Sequence, residues 1–436
     1  MKLADIFGNN MVLQRNRKIS IFGEGEGKGS VELNGARVDF VSVNGKFKAY
    51  LPEMNAGGPY EMKVTLNGKT ELFTDIMIGD VYIAGGQSNM QFEVWEATDI
   101  FPHESNLVRY FKECNDGDKY INNTPFYKKE VWQKATNETS AHFSAIGFAF
   151  ALALAEKTGV TVGIISCCQG ASRVDAWTDP IIVNTPEYQS LMPEKHYDYD
   201  NFKFNHESWL YKNKLTNIMP YSLSGVIFYQ GESNTGIKES GNYSKLFEYM
   251  VNNWRECFEN EFLPFYCVQI MPFEADPRLA NWAKLRKQQE TASKTIPNTY
   301  LVTMANTGES KLIHPTRKKD IAQALANTVL NTRFGEKVEY SGPIAENANI
   351  SENKITIAFS HSEGLCISGK YLDGAYFCDE NGILHTPKAE TTANTLVLTF
   401  KEDVKIKTVA LGWENAPRHN LYNSAGYLAS PFKFEF

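Results

Sequence analysis

The chain has no apolar run near the roughly 20 residues that crossing a bilayer requires. Its longest candidate, 145–155, is too short and reads as a buried helix. It has no excess of positive charge either, since 44 Lys and Arg stand against 51 Asp and Glu, a net charge of −7. Nucleic acids and anionic membranes select a basic face that can neutralise phosphates, so both are excluded as partners. Cysteine is sparse, with seven in 436 residues and none at CxxC spacing, which leaves zinc and iron–sulfur ligation without support. The thiols sit in apolar runs such as Phe265-Tyr266-Cys267-Val268 and read as reduced, structural side chains. The opening Met1-Lys2-Leu3-Ala4-Asp5-Ile6 lacks the continuous apolar segment of a secretory signal. The expected location is cytoplasmic, or secreted or periplasmic if a leader has been removed. No low-complexity tract or fixed-period repeat is present.

What the chain does have is 42% hydrophobic and 13% aromatic residues, enough for packed cores. At about 150 residues per domain, the length suggests two or three domains. Residues 1–75 alternate apolar and polar in short runs at 18–22, 30–33, 38–43, 46–51 and 61–66. Asn34-Gly35, Asn44-Gly45 and Asn67-Gly68 separate such runs, as hairpin turns do. A β-sandwich-like module is expected there.

The rhythm then changes. Compact apolar runs at 81–84, 160–166, 225–229, 265–270 and 300–304 alternate with helix candidates at 144–157, 243–257, 282–293 and 317–331. That alternation predicts an α/β domain over 76–333, with a parallel sheet covered on both faces. Segments 95–140 and 178–220 read as long irregular loops of the functional kind. From 334 to 436 period-two alternation returns with a turn at Asn381-Gly382, predicting a second β module.

Four segments fall at carboxyl ends of the predicted strands, where open α/β sheets bind ligands. The sharpest is Gly85-Gly86-Gln87-Ser88-Asn89-Met90: two glycines permit a tight turn that presents the Ser88 hydroxyl and N–H. A strand-ending turn with Ser88 as a helix N-cap fits the same residues. A serine nucleophile needs a base. Of eight histidines, His314 in Leu312-Ile313-His314-Pro315 lies on the same sheet edge. The remaining two segments, 169–177 and 229–234, offer Gly170, Gln230 and Asn234 as donors of the kind an oxyanion needs.

Together these blocks resemble the sialate O-acetylesterase family of the SGNH hydrolases, among the carbohydrate acetylesterases. The likeness extends to Asn10-Met11-Val12-Leu13-Gln14-Arg15 and Asn420-Leu421-Tyr422-Asn423, so it spans essentially the whole chain. It implies a flavodoxin-like, three-layer α/β/α hydrolase domain flanked by N- and C-terminal β modules. It also implies a serine esterase that removes O-acetyl groups from sialic acid or related glycans through an acetyl-enzyme, with an acetylated carbohydrate as substrate and no metal or organic cofactor. By position, Ser88 is the nucleophile and His314 the base, with an oxyanion hole from the Ser88 N–H, Gly170 (or Ala171), and Gln230 or Asn234. Gln87, Arg173, Trp177 and Glu232 are expected at the substrate.

The chain departs from the family pattern at the orienting acid. Lys311 and Leu312 stand where an Asp is usual, Asn306 stands at a commonly acidic position, and Glu309, Glu232 or a backbone carbonyl is left to hold the imidazole. Arg173 fits two readings, a bidentate fork for a sugar carboxylate or an ion pair with Asp175 or Asp179. Trp95, Trp132, Trp177, Trp209 and Tyr211 fit a glycan cleft or packing anchors. Two rival functions remain: an acetylxylan-type polysaccharide acetylesterase, and a glycan-binding protein with a decayed esterase site.

Overall fold

The computed structural model describes residues 1–113, 131–192, 202–206, 208–237, 239–303, 308–401 and 404–436. Cys114, His196, Met304 and Asn306 lie outside the described residues. Two compact units emerge: 1–230 with 246–266 and 316–326, and 231–245 with 267–315 and 327–436.

After a two-residue strand at Lys2–Leu3, the first unit continues with β1 (Val12–Gln14), β2 (Ile19–Glu24), β3 (Lys28–Leu33), β4 (Ala36–Val41), β5 (Lys46–Leu51) and β6 (Gly57–Leu66). Each of the three Asn-Gly pairs has both residues at positive φ, between 47° and 79°. That is the two-residue turn whose twist matches the flanking strands, and it explains the antiparallel pairing of β3 with β4. An 18-residue strand, β7 (Lys69–Gly86), then pairs with β6 at its start and continues into the central sheet. The expected boundary at residue 75 therefore falls inside one continuous strand. Asp75 takes a left-handed conformation (φ 59°) there, and its carboxylate is held by Arg109 and Lys134.

The N-terminal motif ties β1 to β7. Arg15 Nε and Nη2 donate to the two oxygens of Asp80, at 3.0 and 2.8 Å, and Gln14 Oε1 accepts from Val81 N and Ser224 Oγ. A buried Asp needs such partners, which accounts for polar residues inside an otherwise apolar strand.

After α1 (Ser88–Gln91) come β8 (Ser105–Lys112), α2 (Ala145–Thr158), β9 (Val162–Cys168), β10 (Gly225–Tyr229), α3 (Tyr243–Cys257) and β11 (Phe265–Val268). β9 pairs in parallel with both β8 and β7, and β10 pairs in parallel with β7. The order β8-β9-β7-β10-β11 departs from the flavodoxin order 2-1-3-4-5, because the third strand lies between the second and the first. It still changes direction at β7, so the carboxyl end of β7 is the switch point. β8 corrects the expectation of an irregular 95–140 segment. Its buried Arg109 interrupts the apolar run and masks the strand in the sequence.

Successive residues of a strand face opposite sides. Tyr82 stacks edge-on against Phe150 of α2 with centroids 5.0 Å apart, while a side chain on Gly85, three positions later, would meet Trp254 of α3 at 3.5 Å. Ser144 caps α2 by accepting from Gly147 N, and Gly159 ends it in the left-handed conformation.

The second unit holds α4 (Trp282–Thr295), β12 (Thr299–Val302) and two four-stranded antiparallel sheets from 344 to 435. Helix α5 (Lys319–Phe334) precedes those sheets. Ile355, Ile357, Phe359, Leu396 and Leu398 of one sheet and Phe377, Val409, Leu411 and Phe432 of the other share one core. The Asn381-Gly382 turn forms differently from the first three: the Asp379 carboxylate accepts from Asn381 N and Ile383 N. Among the described residues six cysteines are free, no metal-binding group of His, Cys, Asp and Glu occurs, and no helix is long and apolar enough to cross a membrane.

Candidate active site

Ser88 stands at the carboxyl end of β7, as the first residue of the one-turn helix α1. The N-cap is Gln87, with extended backbone and no side-chain cap bond, so Ser88 does not serve as the cap. The turn depends on Gly86. Its φ is 125°, and a Cβ there would lie 2.1 Å from Tyr229 O. No side chain fits, and the Gln87 N–H can therefore donate to Tyr229 O at 2.9 Å, clamping the turn to β10.

The second block packs against the first. Gln169 N donates to Gly86 O, and Ser172 Oγ reaches the same carbonyl at 3.3 Å. A Cβ on Gly170 would sit 3.5 Å from Ser88 Cβ, so the Gly170 backbone lines the serine. In this structure the Gly170 N–H donates to Gln91 Oε1 at 2.7 Å, so an oxyanion would have to displace that amide. Ala171 takes the left-handed conformation, at φ 57°. Asn205 braces it, accepting from Arg173 N and donating to Ala171 O, both at 2.9 Å.

Gln230 closes the group. Its Nε2 donates to Ser172 O at 3.0 Å and to Gln87 Oε1 at 3.3 Å, linking the first three blocks. Thus Ser88, Gln87, Gly170 and Gln230 are brought together within the first unit.

Arg173 follows one of its two readings, and Trp177 departs from the expectation of a substrate contact. The Arg173 guanidinium is buried and its Nε donates to Asp175 Oδ1 at 3.1 Å, so of the two readings the structure contains the ion pair. Trp177 is also fully buried. Its N–H donates to Ser172 Oγ at 3.0 Å and its ring meets Trp254 edge-on, leaving no face for a sugar. It supports the second block from below. Trp132 is buried on Ile6 O, and Tyr211 is buried with its hydroxyl on Asp179. Trp209 is half-buried, and only Trp95 of the five is exposed.

Glu232, Asn234, Glu309 and His314 belong to the second unit. Glu232 and Asn234 are buried in a short helical turn after Gly231, where φ is 148° and a Cβ would lie 2.8 Å from Leu285 Cδ2 and 2.9 Å from Ile270 Cγ2. Tyr243 lies beside Glu232, and its phenol is pushed well above its ordinary pKa by burial, with the Glu232 charge adding to the effect. Glu309 is half-buried and its carbonyl accepts from Leu312 N at 2.7 Å, while His314 is exposed.

Three contributors were not anticipated. Gln91 and Asn205 hold the backbone of residues 170–173. Lys318, fully buried in the first unit, donates from Nζ to Asn89 Oδ1 at 2.6 Å and lies 4.8 Å over the Phe92 ring. Thr98 N donates to Thr316 O, and the Asp99 carboxylate accepts from Lys318 N and Lys319 N. Segment 316–319 is thereby fastened next to the turn that carries Ser88. Only Gln91, by lying next to the Ser88 motif, carried a signal in the sequence.

Residues 78–331 match the family described as carbohydrate esterase, sialic acid-specific acetylesterase. The chain belongs to this family. It is 23% identical to the sialate O-acetylesterases of Pongo abelii and Homo sapiens, in each case over 92% of this chain and 85% of the other. A solved carbohydrate acetylesterase from Xanthomonas citri superposes with a TM-score of 0.87 at 27% identity, covering 100% of this chain and 99% of that one. The family member described here is a carboxylic ester hydrolase that deacetylates sialic acid or related glycans. These likenesses favour neither the acetylxylan nor the non-enzymatic reading.

Proposed function

We propose that this sialic acid-type carbohydrate acetylesterase works as an SGNH serine esterase with Ser88 as nucleophile and His314 as base. Ser88 Oγ attacks the acetyl carbonyl while His314 takes its proton. The tetrahedral oxyanion is held by the Ser88 N–H, the Gly170 N–H once Gln91 is displaced, and the side-chain amide of Gln230, once it releases Gln87 Oε1, or of Asn234. Collapse breaks the ester bond, and the protonated imidazole returns the proton to the departing sugar oxygen. Water, deprotonated by His314, then attacks the acetyl-Ser88 ester and releases acetate and the free serine.

The observation that carries this reading is the placement of Ser88 at the switch point, with the Gly170 backbone against it and Gln230 joined to Gln87. Segment 316–319 supplies further support. His314 precedes Lys318 by four residues, at most about 14 Å of extended chain, and Lys318 is bonded to the neighbour of Ser88. The orienting acid is Glu309 or Glu232. A triad acid is buried as a rule, which favours Glu232, whereas closeness in sequence favours Glu309. The α/β/α hydrolase domain covers 76–333 between β modules at 1–75 and 334–436, a division the family match over 78–331 supports. Tyr82 facing α2 and Gly85 facing α3 support the three-layer arrangement.

The test is kcat/KM on O-acetylated sialic acid and on acetylated xylan for the wild type, Ser88→Ala and His314→Ala. Both substitutions should cost about 10⁴-fold or more, with sialic acid the better substrate. Glu232→Gln or Glu309→Gln should cost about 10²–10⁴-fold in whichever residue orients the base. Undiminished turnover by Ser88→Ala would refute the mechanism.

A further inference from the structure

We propose that Trp95 is a stacking residue that positions a sugar ring of the substrate, an inference that rests on the esterase reading above. The packing tryptophans of this protein show what the alternative looks like: Trp132, Trp177 and Trp254 are 2%, 0% and 0% exposed. Trp95 is 62% exposed. An exposed tryptophan without a role is normally mobile, but this one is held. Its indole N–H donates to Glu93 Oε2 at 2.7 Å, and that carboxylate is itself fixed by Lys112 Nζ and His142 Nδ1, both at 3.2 Å.

The loop that carries the ring is equally constrained. Glu93 and Glu96 close a capping box around Val94–Glu96. Val94 N donates to Phe143 O, Ala145 N to Phe92 O, and Thr98 N to Thr316 O. A large, flat, amphipathic surface is therefore presented to solvent with its conformational freedom already lost, the condition that makes an aromatic contact effective in binding. Sugars offer apolar C–H faces of matching shape. Trp95 follows Ser88 by seven residues, of which the first four form one helical turn, so the two Cα atoms are no more than about 20 Å apart. The ring is thus carried within about 20 Å of the segment that bears Ser88, within reach of a sugar ring of a glycan whose acetyl group is at that serine.

Two substrates separate this role from catalysis: O-acetylated sialyllactose, which carries sugar rings, and 4-nitrophenyl acetate, which carries none. Trp95→Ala should raise KM for the sialyllactose about tenfold, an aromatic contact's worth, and leave kcat and KM for 4-nitrophenyl acetate within about twofold of the wild type. Trp95→Phe should restore most of the loss by keeping a ring. In a Ser88→Ala background, titration with O-acetylated sialyllactose should change tryptophan fluorescence, and the change should vanish when Trp95→Phe is added. Unchanged KM for the sialyllactose in Trp95→Ala would overturn the inference. So would an equal fall on both substrates, which would mark Trp95 as merely structural. Either result leaves the Ser88 mechanism standing, whereas turnover by Ser88→Ala would remove that mechanism whatever Trp95 does.

Discussion

Lys318 Nζ and Asn89 Oδ1 form a 2.6 Å hydrogen bond across 229 positions of sequence, inside the first unit and one residue from Ser88. A buried ammonium is costly unless it is partnered, so this contact fixes both the start of α5 and the turn that carries Ser88. Lys318→Met and Asn89→Leu should each destabilise the protein and lower kcat. The double variant should cost less than the sum, with a coupling of about 1.5–3 kcal/mol. Chemical denaturation of the four proteins measures it, and strict additivity would show that the bond contributes nothing.

Gly86 is the most demanding backbone position at the site. Gly86→Ala places a methyl where Tyr229 O already stands, at a φ of 125°. The turn must move, with an expected loss of about 3 kcal/mol or more and of nearly all activity. Thermal unfolding and esterase assays test this together. A stable, active Gly86→Ala would mean that the turn is not required.

Gln91 Oε1 holds the Gly170 N–H that the proposed mechanism assigns to the oxyanion. Removing it in Gln91→Ala spares a hydrogen bond of about 1 kcal/mol that must otherwise break. Activity on 4-nitrophenyl acetate should therefore rise about fivefold. A fall instead would show that Gln91 positions Gly170 rather than blocking it.

The second unit carries a pH dependence of its own. Burial, aided by the nearby Arg286 charge, pushes His419 from its ordinary value near 6.5 down to about 3. The unfolded chain binds a proton below pH 6.5 that the folded chain refuses. Stability from this residue is therefore complete above 6.5 and falls as the pH drops towards 3, by at most about 1.4 kcal/mol per pH unit. The urea midpoint should decline between pH 7 and pH 4.5, and more steeply in the wild type than in His419→Gln. Equal slopes would contradict the assignment.

Much of the architecture was legible because local physics agreed with it. Asn34-Gly35, Asn44-Gly45 and Asn67-Gly68 demanded positive φ, and β10 and α3 fall where the apolar runs and helical spacing put them. β8 was hidden because Arg109 sits buried within it, satisfied by Asp75 and by the Asn10 carbonyl, both distant in sequence. The site was legible as blocks, since each ends a strand. Its supports were not: Asn205 and Lys318 act on partners 32 to 229 residues away, and no periodicity encodes such pairs. Trp177 and Trp95 look alike as letters, and only burial tells the packing residue from the exposed one.

The central claim is a covalent acetyl-Ser88 intermediate. Acid-quenching the enzyme within milliseconds of mixing with an acetyl ester, followed by peptide mass spectrometry, reads it directly. The account predicts one acetyl group on the peptide containing Ser88, accumulating further in a variant slowed at deacylation and absent in Ser88→Ala. Acetyl found on another residue, or full turnover by Ser88→Ala, would contradict it.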